Sequence, residues 1–152
     1  MFKEFTQGAR AAVLQAQTEA RARSDEHVGG EHLLLGVLRD GTGVAVDLLG
    51  GAGVTPERGR QAVDELYGPP PAVPSGEAAA APTPKPLDDA AKAALVASAS
   101  AAGDGPIGTE HVLLGLLDDG DGRAVEVLQH LGVDVAALAE RARAAGPAPG
   151  SP

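Results

Sequence analysis

One pattern occurs twice in the chain, as Val28-Gly-Gly-Glu-His-Leu-Leu-Leu-Gly-Val-Leu38 and as Ile107-Gly-Thr-Glu-His-Val-Leu-Leu-Gly-Leu-Leu117. The two stretches lie 79 positions apart, and the similarity continues beyond them to Gly53-Val54 and Gly132-Val133. Self-similarity at a fixed offset indicates a duplicated structural unit. The sequence therefore predicts two copies of one module.

Each stretch predicts a helix that is apolar on nearly every side, since its leucine and valine residues leave no polar stripe of useful width. A helix of this kind belongs in the middle of a helical cluster, with other helices packed around it. We expect Gly30 and Thr109 to be the N-caps of the two helices. Gly36 and Gly115 fall near the middle of the two predicted helices. Glycine there costs about 1 kcal/mol relative to alanine, so we expect it to make room for a close crossing by a neighbouring helix.

Apolar periodicity and capping residues predict three further helices in each copy, with Thr6, Thr55 and Asp134 among the expected N-caps. They cover about residues 3–23, 44–49 and 55–67 in the first copy, and in the second copy a helix from residue 87 onward and helices at about residues 123–131 and 134–145. The predicted fold class is all-α, with eight helices in two four-helix repeats.

Seven of the nineteen residues from Gly68 to Pro86 are proline, which cannot continue a helix and favours extended, semi-rigid chain. This composition predicts a linker between the two copies. The expected organisation is a first repeat at residues 1–68, a Pro/Ala-rich linker at 69–86, a second repeat at 87–145 and a disordered tail at 146–152.

The first helix of the second copy differs from its counterpart in the first. Residues 87–95 align with residues 5–13 at an offset of 82 rather than 79, so about three residues are missing before Ile107. Residues 97–106 are also small and glycine-rich. We therefore expect this helix to be the weakest in the protein.

Composition excludes several classes of function. The formal net charge of −9 argues against nucleic acid, because affinity for nucleic acid comes mainly from lysine and arginine. No cysteine is present, which rules out disulfides and thiolate chemistry. The chain has no run of about 18 apolar residues and no secretory signal pattern, so we expect a cytoplasmic protein without a membrane partner.

Motifs for catalysis are missing from the sequence. No G-x-x-x-x-G-K-[ST] phosphate loop occurs, and neither Glu31-His32 nor Glu110-His111 is followed by the second histidine of a zinc motif. The run Asp118-Asp-Gly-Asp-Gly122 lacks the acid spacing of a calcium loop and is interpreted as a solvated turn. We predict a non-enzymatic protein with no catalytic residues, no metal site and no cofactor.

The doubled Gly-(Gly/Thr)-Glu-His-(Leu/Val)-Leu-Leu-Gly pattern and the opening Met1-Phe-Lys-Glu-Phe-Thr-Gln-Gly-Ala-Arg10 resemble the Clp repeat. That repeat forms the N-terminal domain of Clp-type unfoldases, particularly those of the C type. The resemblance covers residues 1–68 and 87–145. It implies a pair of four-helix repeats related by pseudo-two-fold symmetry, and, because no ATPase module follows, a free-standing Clp N-domain.

In some C-type members this domain binds phosphorylated arginine, with the glutamate of each Glu-His pair on the guanidinium and a threonine near the phosphate. The resemblance transfers these roles to Glu31 with Thr6 in the first copy and to Glu110 with Asp88 in the second. Asp88 would oppose a phosphate, so binding is expected in the first copy only. Both glutamates also have a purely structural interpretation, as charges that complement a helix dipole.

The resemblance implies a protein-interaction module of the Clp chaperone–protease system. Its expected partners are Clp unfoldase components, adaptors, or substrate and tagged proteins, which it would meet as an adaptor, decoy or regulator without an ATPase motor. The alternative is a sensor or sequestering protein that holds a small ligand or peptide in the groove between the repeats.

Overall fold

A computed structural model describes six segments of the chain: residues 5–23, 27–40, 44–68, 86–103, 106–118 and 122–145. Residues 69–85 of the predicted linker and the predicted tail at 146–152 lie outside the described residues.

Each copy contributes four helices to the described part of the chain, which confirms the predicted all-α fold. The first copy contains α1 (Gln7–Ala22), α2 (Gly30–Asp40), α3 (Val44–Gly51) and α4 (Pro56–Tyr67). The second contains α5 (Asp89–Ala102), α6 (Thr109–Asp118), α7 (Arg123–His130) and α8 (Val135–Ala145). None of these helices is long and apolar enough to span a membrane.

Capping side chains begin several of the helices, as predicted. Thr6 Oγ1 accepts a hydrogen bond from the Ala9 amide at 3.1 Å, and Thr55 Oγ1 accepts one from the Arg58 amide at 3.2 Å. Each bond satisfies a backbone N–H that the first turn of a helix leaves without a partner. Gly68 closes α4 with a φ of 97°, a conformation that favours glycine.

The predicted N-caps of the central helices, Gly30 and Thr109, are wrong by one residue. Both are the first residues of their helices, and the carbonyls of Gly29 and Gly108 accept the first helical bonds. The reason lies in the histidine that follows each glutamate. In the first copy, Nδ1 of His32 accepts a hydrogen bond from the Gly29 amide at 2.9 Å, so a side chain inside the helix fixes its start.

The central helices α2 and α6 form the middle of the core, as expected from their apolar composition. Their leucine side chains are almost entirely buried, except that of Leu114 in α6, which is partly buried. A Cβ atom at Gly36 would collide with the carbonyl oxygen of Ala12 and would lie 2.8 Å from the Ala16 nitrogen. At Gly115 the same atom would collide with the Ala94 carbonyl. Both glycines therefore permit the close helix crossing that the sequence predicts.

The two repeats are joined by backbone pairing that crosses between them. The Thr6 amide donates to the Ile107 carbonyl at 2.8 Å, and the Asp88 amide donates to the Val28 carbonyl at 2.9 Å. The segment before the first helix of each copy thus pairs in parallel with the segment before the central helix of the other copy. This exchange positions the candidate site residues.

Candidate functional site at the two repeat ends

Each end of the interface between the repeats combines residues of both copies. The Glu31 end comprises Glu31, Gly29, Asp88 and Arg123, and the Glu110 end comprises Glu110, Gly108 and Thr6. The pairing expected from the sequence, Glu31 with Thr6 and Glu110 with Asp88, is therefore wrong. That pairing assumed that each copy completes its own site, whereas the crossed backbone bonds exchange the segments that carry Thr6 and Asp88.

Two carboxylates meet at the Glu31 end. A Cβ atom at Gly29 would overlap Oε1 of Glu31 and would lie 2.9 Å from Oδ2 of Asp88, so both oxygens border the same glycine. Oδ1 of Asp88 caps α5 by accepting a hydrogen bond from the Ala91 amide at 2.8 Å. The Glu31 side chain is only 3% exposed, so its charge needs a nearby partner.

Arg123 supplies that partner from the second repeat. Its Nη1 donates to Oε2 of Glu31 at 2.8 Å, while Oε1 of Glu31 has no hydrogen-bond partner among the described residues. The hydrogen bond to Glu31 raises the pKa of Arg123, and the charges of Glu31 and Asp88 add to this rise against the opposing effect of burial. Arg123 therefore remains a cation against this carboxylate.

Tyr67 holds the arginine from its other side. The Arg123 guanidinium carbon lies 4.5 Å from the centre of the Tyr67 ring, within the range of a cation–π contact. The Tyr67 hydroxyl donates to Oε1 of Glu126 at 2.5 Å. Burial and this hydrogen bond raise the pKa of Tyr67, so its hydroxyl stays protonated as the donor. Arg123 is thus fixed between an aromatic ring of α4 and a carboxylate of α2.

The Glu110 end has the same backbone arrangement but different side chains. The Oε1 atom of Glu110 borders Gly108 as Oε1 of Glu31 borders Gly29. The crossed bridge brings Thr6 to this end, where its hydroxyl caps α1. The residue that corresponds to Arg123 in the first copy is Val44, which carries no charge. Among the described residues, no arginine pairs with Glu110.

Sequence reasoning missed Arg123 and the two histidines of the Glu-His pairs. Nδ1 of His111 accepts a hydrogen bond from the Gly108 amide at 2.9 Å, so this histidine, like its counterpart, shapes the turn that carries the glutamate. The signal for Arg123 was present in the alignment of the copies, since Val44 and Arg123 differ in charge. Its partner lies 92 positions away, so the contact could not be read from local spacing.

A separate cavity of about 820 Å³, open to solvent, lies at the surface of the second repeat between α5, α6 and α8. Its lining is mostly alanine and other small or apolar side chains, with His111, Asp118 and Arg143 as its ionisable groups. The alternative function expected from the sequence placed a ligand between the repeats. This cavity belongs to one repeat, while a smaller one of about 220 Å³ lies between the repeats, lined by Gly51 and Ala52 of the first and by α8 and the preceding turn of the second.

The comparisons with known proteins all indicate the same family. The model of the Clp repeat (R) N-terminal domain matches residues 4–100 and 86–147. The ClpA homolog of the ATP-dependent Clp protease ATP-binding subunit from Cyanidium caldarium is 36% identical over 138 residues, and the chloroplastic chaperone protein ClpC1 of Arabidopsis thaliana is 37% identical over 137. The matches cover 91% and 88% of this chain but only 16% and 14% of those relatives.

Solved structures show the same architecture. The N-terminal domain of the chaperone ClpD from Arabidopsis thaliana superposes with a TM-score of 0.73 and 27% identity, over 91% of this chain and 94% of that domain. The Hsp104 N-terminal domain from Candida albicans gives a TM-score of 0.69 at 17% identity, over 92% of this chain and 89% of that one, which supports the fold alone.

Proposed function

Because the chain belongs to the Clp repeat (R) N-terminal domain family, we propose that it is a docking module of the Clp chaperone–protease system. Domains of this family are protein-interaction modules, and the observation that carries the proposal is a match along 91% of the chain. We assign the chain the role of adaptor, decoy or regulator, because a surface like that of an unfoldase N-domain competes for the same adaptors and substrates. The cytoplasmic location expected from the sequence remains a prediction.

We further propose that the Glu110 end is the phosphoarginine site. A carboxylate can pair with the guanidinium. The phosphate carries nearly two negative charges and needs hydrogen-bond donors. The Glu110 end combines a carboxylate with the Thr6 cap, and the first amides of α1 lie beside that cap without intrahelical partners. We therefore propose the reverse of the assignment expected from the sequence, which placed this site on Glu31.

The Glu31 end is unsuited to the same ligand. Asp88 places a second carboxylate beside Glu31, where a phosphate would meet repulsion of about 4 kcal/mol per charge pair at 4 Å and an effective dielectric near 20. A charge-assisted hydrogen bond returns only about 1.5–3 kcal/mol. In addition, Arg123 already occupies one oxygen of the Glu31 carboxylate.

The docking role can be tested by competition in a reconstituted degradation assay. Purified full-length protein is added to a C-type Clp ATPase, its protease and an adaptor, and the loss of a fluorescent adaptor-dependent substrate is followed. The proposal predicts slower degradation as the protein is added, with no effect on a substrate that needs no adaptor. Unchanged degradation at large excess over the adaptor would count against the docking role.

The cavity of the second repeat supports a second candidate function, the holding of a small amphiphilic ligand or peptide. A volume of about 820 Å³ falls in the range of small-molecule sites, which are mostly apolar with a few polar groups. A thermal-shift screen against peptides and natural products would test it, because a ligand that binds only the folded protein raises the melting temperature. Ala97→Leu, which places three further carbon atoms in the cavity, should reduce the shift, and an unchanged shift would place the ligand elsewhere.

A further inference from the structure

The Glu31 end already contains the interaction that the Glu110 end lacks. A guanidinium donates to Oε2 of Glu31 at 2.8 Å, and it belongs to the chain's own Arg123. The carboxylate is almost completely buried, whereas the arginine side chain is 57% exposed, so the arginine covers the glutamate from the solvent side. This is the placement that an arginine of a partner would take.

We propose that Arg123 is an internal ligand of the Glu31 carboxylate and closes this end to guanidinium-bearing partners. Arg123 is then the residue that determines the difference in specificity between the two pseudo-symmetric ends. The proposal rests on the proposed function, in which the paired glutamates recognise a guanidinium. It adds the reason why the two ends are unequal, and it assigns that reason to one side chain.

Two observations support an occupied site rather than an ordinary surface ion pair. Oε1 of Glu31 is buried without a hydrogen-bond partner among the described residues, so the carboxylate retains an acceptor that a bidentate guanidinium would use. The guanidinium also stacks on Tyr67, whose hydroxyl is tied to Glu126. A carboxylate in front and an aromatic face behind are the two features that recognise arginine rather than lysine.

The comparison of the copies shows what removes the internal ligand. Val44 stands at the position that corresponds to Arg123, and among the described residues Glu110 has no arginine partner. Replacing Arg123 by valine therefore gives the second repeat the residue that the first repeat has at this position, and it frees the Glu31 carboxylate. Because Asp88 lies beside it, the freed end should take an unmodified arginine in preference to phosphoarginine, the reverse of the order at the Glu110 end.

The test uses the full chain in a Glu110→Gln background, so that only the Glu31 end can respond. Arginine amide is the probe and lysine amide at equal ionic strength is the control. Arginine amide should raise the melting temperature of E110Q/R123V, but it should not raise that of E110Q or of E31Q/E110Q/R123V. Phosphoarginine should bind E110Q/R123V about a thousandfold more weakly than arginine amide, because its phosphate is repelled by the Asp88 carboxylate.

Other outcomes would overturn the proposal. One is that arginine amide raises the melting temperatures of E110Q and E110Q/R123V equally. Another is that it does not raise the melting temperature of a folded E110Q/R123V protein. A purely structural ion pair would be replaced equally well by lysine amide, so an equal response to both amides also contradicts it. If E110Q/R123V does not fold, amide chemical shifts of the wild-type protein decide. Arginine amide should perturb Gly108 and Glu110, and perturbation of Gly29 and Glu31 instead would refute the internal ligand.

The proposed function fails separately from this inference. A wild-type protein that binds no phosphoarginine and an E110Q/R123V protein that is stabilised by arginine amide would together reject the ligand assigned to the Glu110 end. They would leave Arg123 as the internal ligand of Glu31.

Discussion

The helix pairs α1–α2 and α5–α6 have the same backbone arrangement, but different side chains occupy the space beside them. In the first repeat, the carboxylate of Glu19 is buried and accepts hydrogen bonds from Arg39 at 2.9 Å and from Arg60 at 3.1 Å. The corresponding residues of the second repeat are Ala101, Asp118 and Ala139. The first repeat thus fills this space with an ionic network, and the second leaves a cavity beside α5.

The difference shows which features the duplicated fold needs and which it can lose. Both copies retain the mid-helix glycine, the Glu-His turn and the crossed backbone bridge. They differ in the side chains that fill the repeat and in the arginine that covers one glutamate. We infer that the retained features build the fold, while the divergent side chains distinguish the surfaces that the two repeats offer to partners.

The largest expected effect tests a shared feature. Gly36→Val and Gly115→Val should each lower the free energy of unfolding by about 3 kcal/mol, because the added side chain meets the backbone of the crossing helix. Gly50→Val is the control, since apart from its own helix backbone no atom lies within 4 Å of a Cβ at that position. Urea unfolding measures all three. Near-neutral Gly36→Val or Gly115→Val would mean that the crossing is not close in that copy.

A smaller effect is expected where the copies differ. Glu19→Ala should lower the free energy of unfolding by about 2 kcal/mol, since Glu19 is 4% exposed and its loss leaves two arginines without their shared carboxylate. The arginines can still reach water, which keeps the loss below that of a fully buried pair. Glu140→Ala on the exposed face of α8 is the matched control. Equal stability of the two variants would show that the ionic network contributes nothing.

The network also predicts how readily each first helix opens. Helix α5 has 14 residues against 16 in α1, and it packs beside the cavity instead of a buried carboxylate. Amide hydrogen exchange should therefore be faster in residues 89–102 than in residues 7–22, by about tenfold for each 1.4 kcal/mol of lost local stability. Equal or slower exchange in α5 would contradict the expectation that it is the weakest helix.

Much of this molecule could be predicted from the sequence, because its signals are local. The caps at Thr6 and Thr55 and the role of Gly36 follow from residues within one helix or one turn, and the repeat follows from comparing two stretches of the sequence. The arrangement of the ends could not be predicted in this way. It depends on which copy's segment lies against which, and the exchange of Thr6 and Asp88 is set by backbone bonds between residues far apart in the chain.

Arg123 illustrates the same limit for a side chain. Its contact with Glu31 joins α7 of one repeat to α2 of the other, so neither helix alone contains a sign of it. Only the comparison of the two copies marks the position, since valine and arginine differ in charge at corresponding positions of the sequence.

The most direct test of the central claim, that the two ends are unequal and the Glu110 end binds phosphoarginine, is a calorimetric titration with phosphoarginine. The wild-type chain, Glu31→Gln and Glu110→Gln are compared at one salt concentration, because exposed ionic contacts are screened by salt. We predict one site in the wild-type chain, retained in Glu31→Gln and lost in Glu110→Gln. Two equivalent sites, or a single site lost in Glu31→Gln and kept in Glu110→Gln, would contradict the account.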